Sequence, residues 1–368
     1  MTRQRRVLAL VTDGFGQLGG IGRYNADFLS ALAMGGEAAV EVLPRHAPSR
    51  GAPPPGVVQH PPRPGRMAYA LEAMGRAMAS PFDVVFCGHL YMAALAAVIA
   101  RLSRAQLVVQ THGVEAWATP SPARRAAVER AALVLCVSRH TRGQVMAWTS
   151  LQPERVRVLP NTVQDVFTPG VGAGLRARWG LDGRRVLLTV GRLATGERYK
   201  GHDRVIDALP GLVANGCDAV YVVVGEGDDR ARLERLAFQR GLRDRVRFMG
   251  ALDQGDLIEA YRLADVFVMA STGEGFGIAY LEAMACGTPA LGLRSGGACD
   301  ALADGQLGVL ANETELEARL FEMLVRPKPP GLPLAAEVNR RFGGAAFASE
   351  QKRILETVMA EAPAGKSH

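Results

Sequence analysis

The stretch Glu274-Gly275-Phe276-Gly277-Ile278-Ala279-Tyr280-Leu281-Glu282-Ala283-Met284-Ala285-Cys286-Gly287-Thr288-Pro289 carries two glutamates eight positions apart. An apolar run, Val266–Met269, precedes it and another, Ala290–Leu293, follows. Gly275 and Gly277 permit a tight turn, and Ile278–Ala285 reads as a helix, so the segment is a strand, a turn, a helix and a strand. Backbone N–H groups at such a helix start have no intrahelical partner and attract a phosphate. Glu282 falls about one and a half turns inside, roughly 7 Å along the axis. That is about the distance from a diphosphate to the ribose of the same nucleotide. Glu274 stands just outside the helix, on the other side of the phosphates. The spacing implies a ligand made of sugar, diphosphate and ribose.

The same alternation extends in both directions. Strands are expected at Val7–Val11, Ala39–Leu43, Asp83–Phe86, Leu107–Gln110 and Leu133–Val137, with amphipathic helices at Gly22–Met34, Met67–Ala79, Met92–Leu102 and Pro122–Ala132. The runs are apolar throughout, as in parallel sheets covered on both faces. Pro44 to Gly65, rich in Pro, Gly, Arg and His, reads as a long functional loop. Glycines and a proline cluster between Pro160 and Gly183, which places a linker there. A second series has strands at Val186–Val190, Ala219–Val224, Val246–Phe248, Val266–Met269 and Ala290–Leu293. Its helices are His202–Ala214, Asp229–Arg240, Asp256–Ala264, Ile278–Cys286 and Glu313–Leu324. The expected fold class is α/β, with two Rossmann-like, doubly wound parallel-sheet domains facing a central cleft. Their expected bounds are 1–164 and 165–344, and a last helix, 345–362, packs back on the first.

Charge is divided unevenly. Residues 1–170 hold 18 Arg, no Lys and 10 acidic residues, net +8, whereas the rest holds 25 basic and 26 acidic residues, net −1. A basic half suggests an anionic partner. Aromatic residues interleaved for base stacking are absent there, so nucleic acid is not an expected partner. The longest apolar run, Tyr91 to Ala100, is too short to span a bilayer. No hydrophobic signal segment follows the basic start, and five cysteines without a Cys-x-x-Cys pair read as reduced thiols. The expected location is cytoplasmic.

Further candidate residues stand where strands end. Gly14, Gly16, Gly19 and Gly20 form a glycine loop between the first strand and helix, and Gly19 and Gly20 suit a phosphate. Gly14-x-Gly16-x-x-Gly19 also matches a dinucleotide spacing, which keeps an NAD(P)-dependent oxidoreductase in view. That fingerprint asks for an acid at the end of the second strand; here it ends Leu43-Pro44-Arg45, with Glu41 inside it. Arg192 follows one strand and Lys200 precedes the next helix, a cationic pair suited to a diphosphate leaving group. His112 ends another strand; histidine titrates near neutrality, so it suits a sugar contact or assistance to an acceptor. Asn161 is a further donor-contact candidate. The chain has no Asp-x-Asp, no His-Glu-x-x-His, no Gly-x-Ser-x-Gly and no Gly-x-x-x-x-Gly-Lys-[Ser/Thr]. No metal and no cofactor beyond the nucleotide sugar is expected.

Together these residues resemble the retaining glycosyltransferases of family 4, which have the GT-B fold, in the type that builds bacterial polysaccharides. The resemblance covers nearly the whole chain. It implies that Glu282 holds the ribose hydroxyls, that Glu274 holds sugar hydroxyls, and that Gly275, Phe276, Gly277 and Ile278 present the helix start. It implies that Arg192 and Lys200 bind phosphate, that Gly20 with Gly19 forms the first-domain loop, and that His112 touches the sugar. The catalytic set is then His112, Arg192, Lys200 and Glu274. The donor set is Gly19, Gly20, Asn161, Gly275, Phe276, Gly277, Ile278 and Glu282. Two features depart from the common pattern: Thr162 stands where many members have Gly, and Gly196-Glu197-Arg198-Tyr199 lengthens the gap between Arg192 and Lys200.

The implied activity is metal-independent, retaining transfer of a hexose such as mannose or glucose. The donor is a GDP- or UDP-linked sugar and the acceptor a glycan or polyprenyl-diphosphate-linked molecule in cell-surface polysaccharide synthesis. The basic first domain suggests peripheral contact with anionic lipid at the inner face of the cytoplasmic membrane, each Arg adding about 1 kcal/mol. A sugar-nucleotide epimerase of GT-B fold is the other alternative beside the oxidoreductase.

Overall fold

A computed structural model of the chain describes residues 4–16, 19–34, 36, 38–46 and 52–360. They form two compact units, residues 1–162 with 344–368, and residues 163–343.

The first unit holds strands β1 (Arg5–Val11), β2 (Ala38–Pro44), β3 (Val57–Gln59), β4 (Val84–Cys87), β5 (Gln106–Thr111), β6 (Leu133–Cys136) and β7 (Val156–Val158). They make one sheet in the order β3-β2-β1-β4-β5-β6-β7, every pair parallel. The order reverses between β1 and β4, and that reversal opens a crevice at the carboxyl ends of the strands. Leu8, Leu10, Val85 and Val109 are fully buried in the core beneath the crossover helices. The last helix, Gly344–Ala360, packs against the helix Gly20–Ala33: Gln351 Nε2 donates to the Phe28 carbonyl at 2.7 Å, and Phe347 meets the Tyr24 ring edge-on at 5.8 Å.

The second unit repeats the plan with β8 (Arg185–Val190), β9 (Ala219–Val224), β10 (Val246–Gly250), β11 (Val266–Met269), β12 (Ala290–Leu293) and β13 (Val309–Ala311). Their order is β10-β9-β8-β11-β12-β13, again parallel throughout, with the reversal between β8 and β11. Phe267 on β11 is fully buried between the rings of Tyr261 and Tyr280, at 5.8 and 5.6 Å.

Some expectations need correction. The long loop Pro44–Gly65 contains β3, which pairs with β2 in register Val40 to Val57; its residues 47–51 lie outside the described residues. The Pro160–Gly183 linker contains the helix Ala173–Arg178. Strands β3, β7 and β13 and the helices Arg139–Trp148 and Gly331–Phe342 are additional to the sequence reading. Each of the three strands has three residues and lies at a sheet edge, where one neighbour suffices and little apolar sequence is needed.

Phe267→Ala is expected to lower the stability of the second unit by about 3–5 kcal/mol, because it opens a cavity among packed rings. Urea denaturation measures this; a loss below 1 kcal/mol, on the order of a surface change, counts against that packing.

Candidate functional site

The helix Ile278–Ala285 begins at Gly277, whose φ of 95° lies in the left-handed region. A side chain there would be strained, and a Cβ would stand 2.6 Å from the Tyr280 ring. No side chain caps this helix and its first turn holds no acid, so the N–H groups at its start remain available to an anion. The loop leading into it lies against the loop after β12: Gly297 N donates to the Glu274 carbonyl at 2.7 Å, and a Cβ on Gly297 would lie 2.1 Å from the Gly275 carbonyl oxygen. The loop after β8 joins the same edge, with Thr272 N donating to the Tyr199 carbonyl at 2.9 Å.

The side chains of this edge form one charged cluster. Lys200 Nζ is 3.5 Å from Glu274 Oε2 and 4.0 Å from Glu197 Oε2. Arg192 pairs with the other oxygen of Glu197 while keeping its side chain 76% exposed. Glu197 Oε2 and Glu274 Oε2 are buried, and neither accepts a hydrogen bond from the described residues. A buried carboxylate oxygen beside a cation and without a donor is a ready acceptor for hydroxyl groups. Glu282, on the second turn of the helix, is 6% exposed, and Tyr261 Oη donates to its Oε2 at 2.6 Å.

The first unit has candidate residues at its own sheet edge. Gly19, with φ of 117°, starts the helix Gly20–Ala33, which likewise has no side-chain cap and no acid in its first turn; Gln17 and Leu18 of this loop lie outside the described residues. At the end of β5, His112 Nε2 lies 2.9 Å from the Gly88 carbonyl. A carbonyl only accepts, so Nε2 carries the proton and Nδ1 is left as an acceptor. The ring meets Tyr24 edge-on at 5.3 Å and has His89 at 5.9 Å. Burial lowers the His112 pKa to about 4, against the opposing bond to Gly88. The expectation that it titrates near neutrality is therefore corrected: the desolvated ring stays neutral at pH 7.

The structure brings Arg192, Lys200, Glu274, Gly275, Phe276, Gly277, Ile278 and Glu282 to one edge of the second unit. His112, Gly19, Gly20 and Asn161 belong to the first. Asn161 is 6% exposed, and its Oδ1 is buried without a hydrogen-bond donor among the described residues. Both cations of the expected pair face Glu197. Three participants escaped the sequence reading: Glu197, Tyr261 and His89. Only Glu197 left a trace there, as part of the unusual segment between Arg192 and Lys200. The dinucleotide reading also fails on geometry: Glu41 is held by Arg6 at 3.0 Å, by Arg76 at 3.2 Å and by His60 at 3.2 Å, which spends the acid that a ribose would need.

Comparison with known proteins places this architecture. Residues 18–167 match the family described as Glycosyltransferase Family 4, and residues 175–326 the one described as Glycosyl transferases group 1. The GDP-mannose-dependent alpha-(1-6)-phosphatidylinositol monomannoside mannosyltransferase of Mycobacterium tuberculosis is 30% identical over 272 residues, 70% of each chain. The chain belongs to glycosyltransferase family 4. The protein of that same description from Mycolicibacterium smegmatis is 32% identical over 62% of each chain. The D-inositol 3-phosphate glycosyltransferase of Acidothermus cellulolyticus is 36% identical over 49% of this chain and 42% of its own. The family 4 chain thus spans about half the length of several curated relatives it matches. HepE of Anabaena, crystallised with UDP, superposes with a TM-score of 0.77 at 20% identity over 96% of this chain and all of its own. Sucrose-phosphate synthase of Thermosynechococcus elongatus does so with a TM-score of 0.76 at 21% identity over 97% and all of its own. These likenesses show the fold, GT-B with two Rossmann-like domains, and they leave the oxidoreductase alternative without support.

For His112, the folded pKa of about 4 lies below the unfolded value of about 6.5, so between the two the unfolded chain binds the extra proton. The stability contributed by the neutral ring is complete above about pH 6.5 and is lost as pH falls through this window, at about 1.4 kcal/mol per pH unit. NMR titration of the ring should show it neutral down to about pH 4, and His112→Gln should flatten the pH dependence of unfolding. A ring titrating near 6.5 overturns the assignment.

Proposed function

We propose that the protein transfers a hexose, with retention of its anomeric configuration, from a nucleoside-diphosphate sugar to a glycan or lipid-linked acceptor in cell-surface polysaccharide or glycolipid synthesis. The observation that carries this reading is the cluster of Lys200, Glu197 and Glu274 beside the uncapped start of a helix whose second turn holds Glu282. The names of the mycobacterial relatives, which specify GDP-mannose and phosphatidylinositol monomannoside, support a sugar-nucleotide donor and a lipid-borne acceptor. UDP and UDP-glucose in the HepE crystals support the uridine series equally, so GDP- and UDP-linked sugars are both donor candidates.

In this reading the diphosphate sits on the N–H groups of Gly275 to Ile278, and Glu282 accepts from the ribose hydroxyls. Glu274 accepts from the hydroxyls of the sugar through its unpartnered oxygen. Arg192 and Lys200 neutralise the diphosphate as its bond to the sugar breaks, which stabilises the charge that develops there. Glu197 holds that pair beforehand, and the diphosphate takes over Arg192 when the donor binds. No separate carboxylate is assigned as a nucleophile; the departing diphosphate helps to take the acceptor's proton on the face where it leaves. The two cations do the work of charge neutralisation, so no metal is required. To the first unit the proposal assigns the acceptor, with the Gly19–Gly20 loop near phosphate and Asn161 as a donor contact. His112 accepts a sugar hydroxyl at Nδ1. Location at the inner face of the cytoplasmic membrane follows from a lipid-borne acceptor.

Calorimetric titration with UDP, GDP, UDP-glucose and GDP-mannose tests the donor site. Lys200→Ala is expected to weaken nucleoside-diphosphate binding by about 1.5–3 kcal/mol, a ten- to hundredfold loss, the usual worth of a charged hydrogen bond. Glu282→Gln, which can still accept from Tyr261, should weaken the nucleotide without unfolding the helix. Unchanged affinity in both variants rules the site out. Turnover of donor without acceptor into an epimeric sugar nucleotide would replace transfer by epimerisation.

A further inference from the structure

The helix Arg66–Ala79 turns its polar and apolar faces the wrong way round for a solvent helix. Tyr69, Ala73 and Ala77 are buried against the first sheet. Of its charged residues, Arg66 is exposed at its first position, while Glu72 and Arg76 lie half-buried along its flank, where Arg76 spans 3.2 Å to Glu41 on β2 and 2.7 Å to Glu72. Beyond Arg66, the residues it leaves exposed to solvent are all apolar. Met67 is 79% exposed, Leu71 63% and Met78 80%, with Ala68, Gly75 and Ala79 between them. An exposed helix face normally carries the polar residues, and large side chains gathered on one exposed stripe mark an interaction surface.

The neighbouring helix, Ala93–Ser103, packs beside it over the same core, burying Ala96 and Ile99. Its outer side adds Val98 and Leu102, each about half exposed, and then the exposed Arg101 and Arg104. Apolar residues fringed by arginines suit an interface that is apolar inside and anionic at its edge. Guanidinium groups on long stems can stay at headgroup level while the stripe enters the acyl boundary. A second copy of the chain fits poorly, because a two-fold contact would set one arginine fringe against the other.

We propose that this face, centred on Met67, Leu71 and Met78, is an interfacial docking surface for an anionic bilayer, lying in the membrane plane rather than crossing it. Among the described residues no helix is long and apolar enough to cross a membrane. The inference rests on the reading of a lipid-borne acceptor and adds to it the surface by which the enzyme reaches that lipid.

The test is flotation of the full chain with vesicles of phosphatidylglycerol and phosphatidylcholine in equal parts, and with phosphatidylcholine alone. The wild type should float with the anionic vesicles. The variant Met67→Ser/Leu71→Ser/Met78→Ser should partition about tenfold less or weaker still, and Arg101→Glu/Arg104→Glu should lose at least about fivefold of the anionic preference. Circular dichroism and nucleoside-diphosphate affinity should match wild type in both, since the substituted side chains are exposed and lie outside the proposed donor set. Flotation of the triple serine variant equal to wild type overturns the docking face while leaving the lipid-borne acceptor standing. Failure of the wild type to float with either vesicle overturns both. A wild-type dimer in analytical ultracentrifugation that the serine variant dissolves assigns the face to a second copy and overturns the proposal.

Discussion

A carboxylate removed from water needs a donor, and for Glu282 that donor is Tyr261. The phenol belongs to the helix Gln254–Leu263, which precedes β11, while the acid belongs to the helix that follows β11. Their bond ties the two helices across the strand between them. Tyr261 is itself fixed by rings on either side, Phe167 at 6.0 Å and Phe267 at 5.8 Å. Tyr280, one turn before the site's buried end, donates to the Met269 carbonyl at 2.7 Å and so sets the angle at which the helix leaves β11. The orientation of the anion-seeking helix start is therefore a packing result. It would be lost by changes far from any charge, wherever they disturb this group of aromatic rings.

The loops at the carboxyl edge of the second sheet are built by close backbone approach. Gly201 follows Lys200 directly, with φ of 75° and a position where a Cβ would fall 2.0 Å from the Ala270 carbonyl oxygen. This brings Lys200 against the loop after β11 and within ion-pair distance of Glu274. The segment before it, Thr195–Lys200, is a short 3₁₀ stretch broken at Glu197, whose φ of −121° is not helical. That break turns the Glu197 carboxylate toward both cations. Arg198 of the same stretch is drawn the other way, to Asp229 at 3.2 Å, so it does not compete for the site. A segment that looks like an insertion in sequence is thus an anchored arm with its acid directed inward and its extra arginine directed outward.

Legibility followed length and locality. Strands β9, β11 and β12 could be read to the residue because each is an unbroken apolar run buried on both faces. The three-residue edge strands could not, and β3 also hid among prolines. The helix Arg139–Trp148 was missed because its buried face is only Thr141, Val145 and Trp148, set among polar residues. In the site, Glu274 and Glu282 were legible from their spacing around Gly277, a local property of one turn and one helix. Tyr261 lies twenty-one residues from its partner, and no local pattern couples them. His89 lies just after β4 and His112 just after β5, so their approach becomes visible only once those strands are known to be adjacent. The neutrality of His112 was illegible for the same reason: desolvation belongs to the folded environment and not to the residue.

The two units differ in their chemistry as well as in net charge. In the second unit the candidate residues are ionic, the cations Arg192 and Lys200 set among the carboxylates of Glu197, Glu274 and Glu282. The candidate residues of the first unit are themselves neutral, a histidine kept unprotonated by burial, glycine N–H groups and the amide of Asn161, though charged groups stand close by: the His112 backbone N–H donates to Glu115. Of the first unit's arginines, Arg23 lies in the first turn of the helix after the glycine loop and Arg45 directly follows β2, while Arg66, Arg76, Arg101, Arg124 and Arg125 lie on other helices. In the proposed reaction, positive charge beside the breaking bond helps the leaving diphosphate, whereas a cationic ring at the sugar would oppose the positive charge that builds on its carbon. A neutral ring that accepts a hydroxyl hydrogen avoids that conflict. The burial that keeps the His112 ring neutral suits the sugar contact proposed for it.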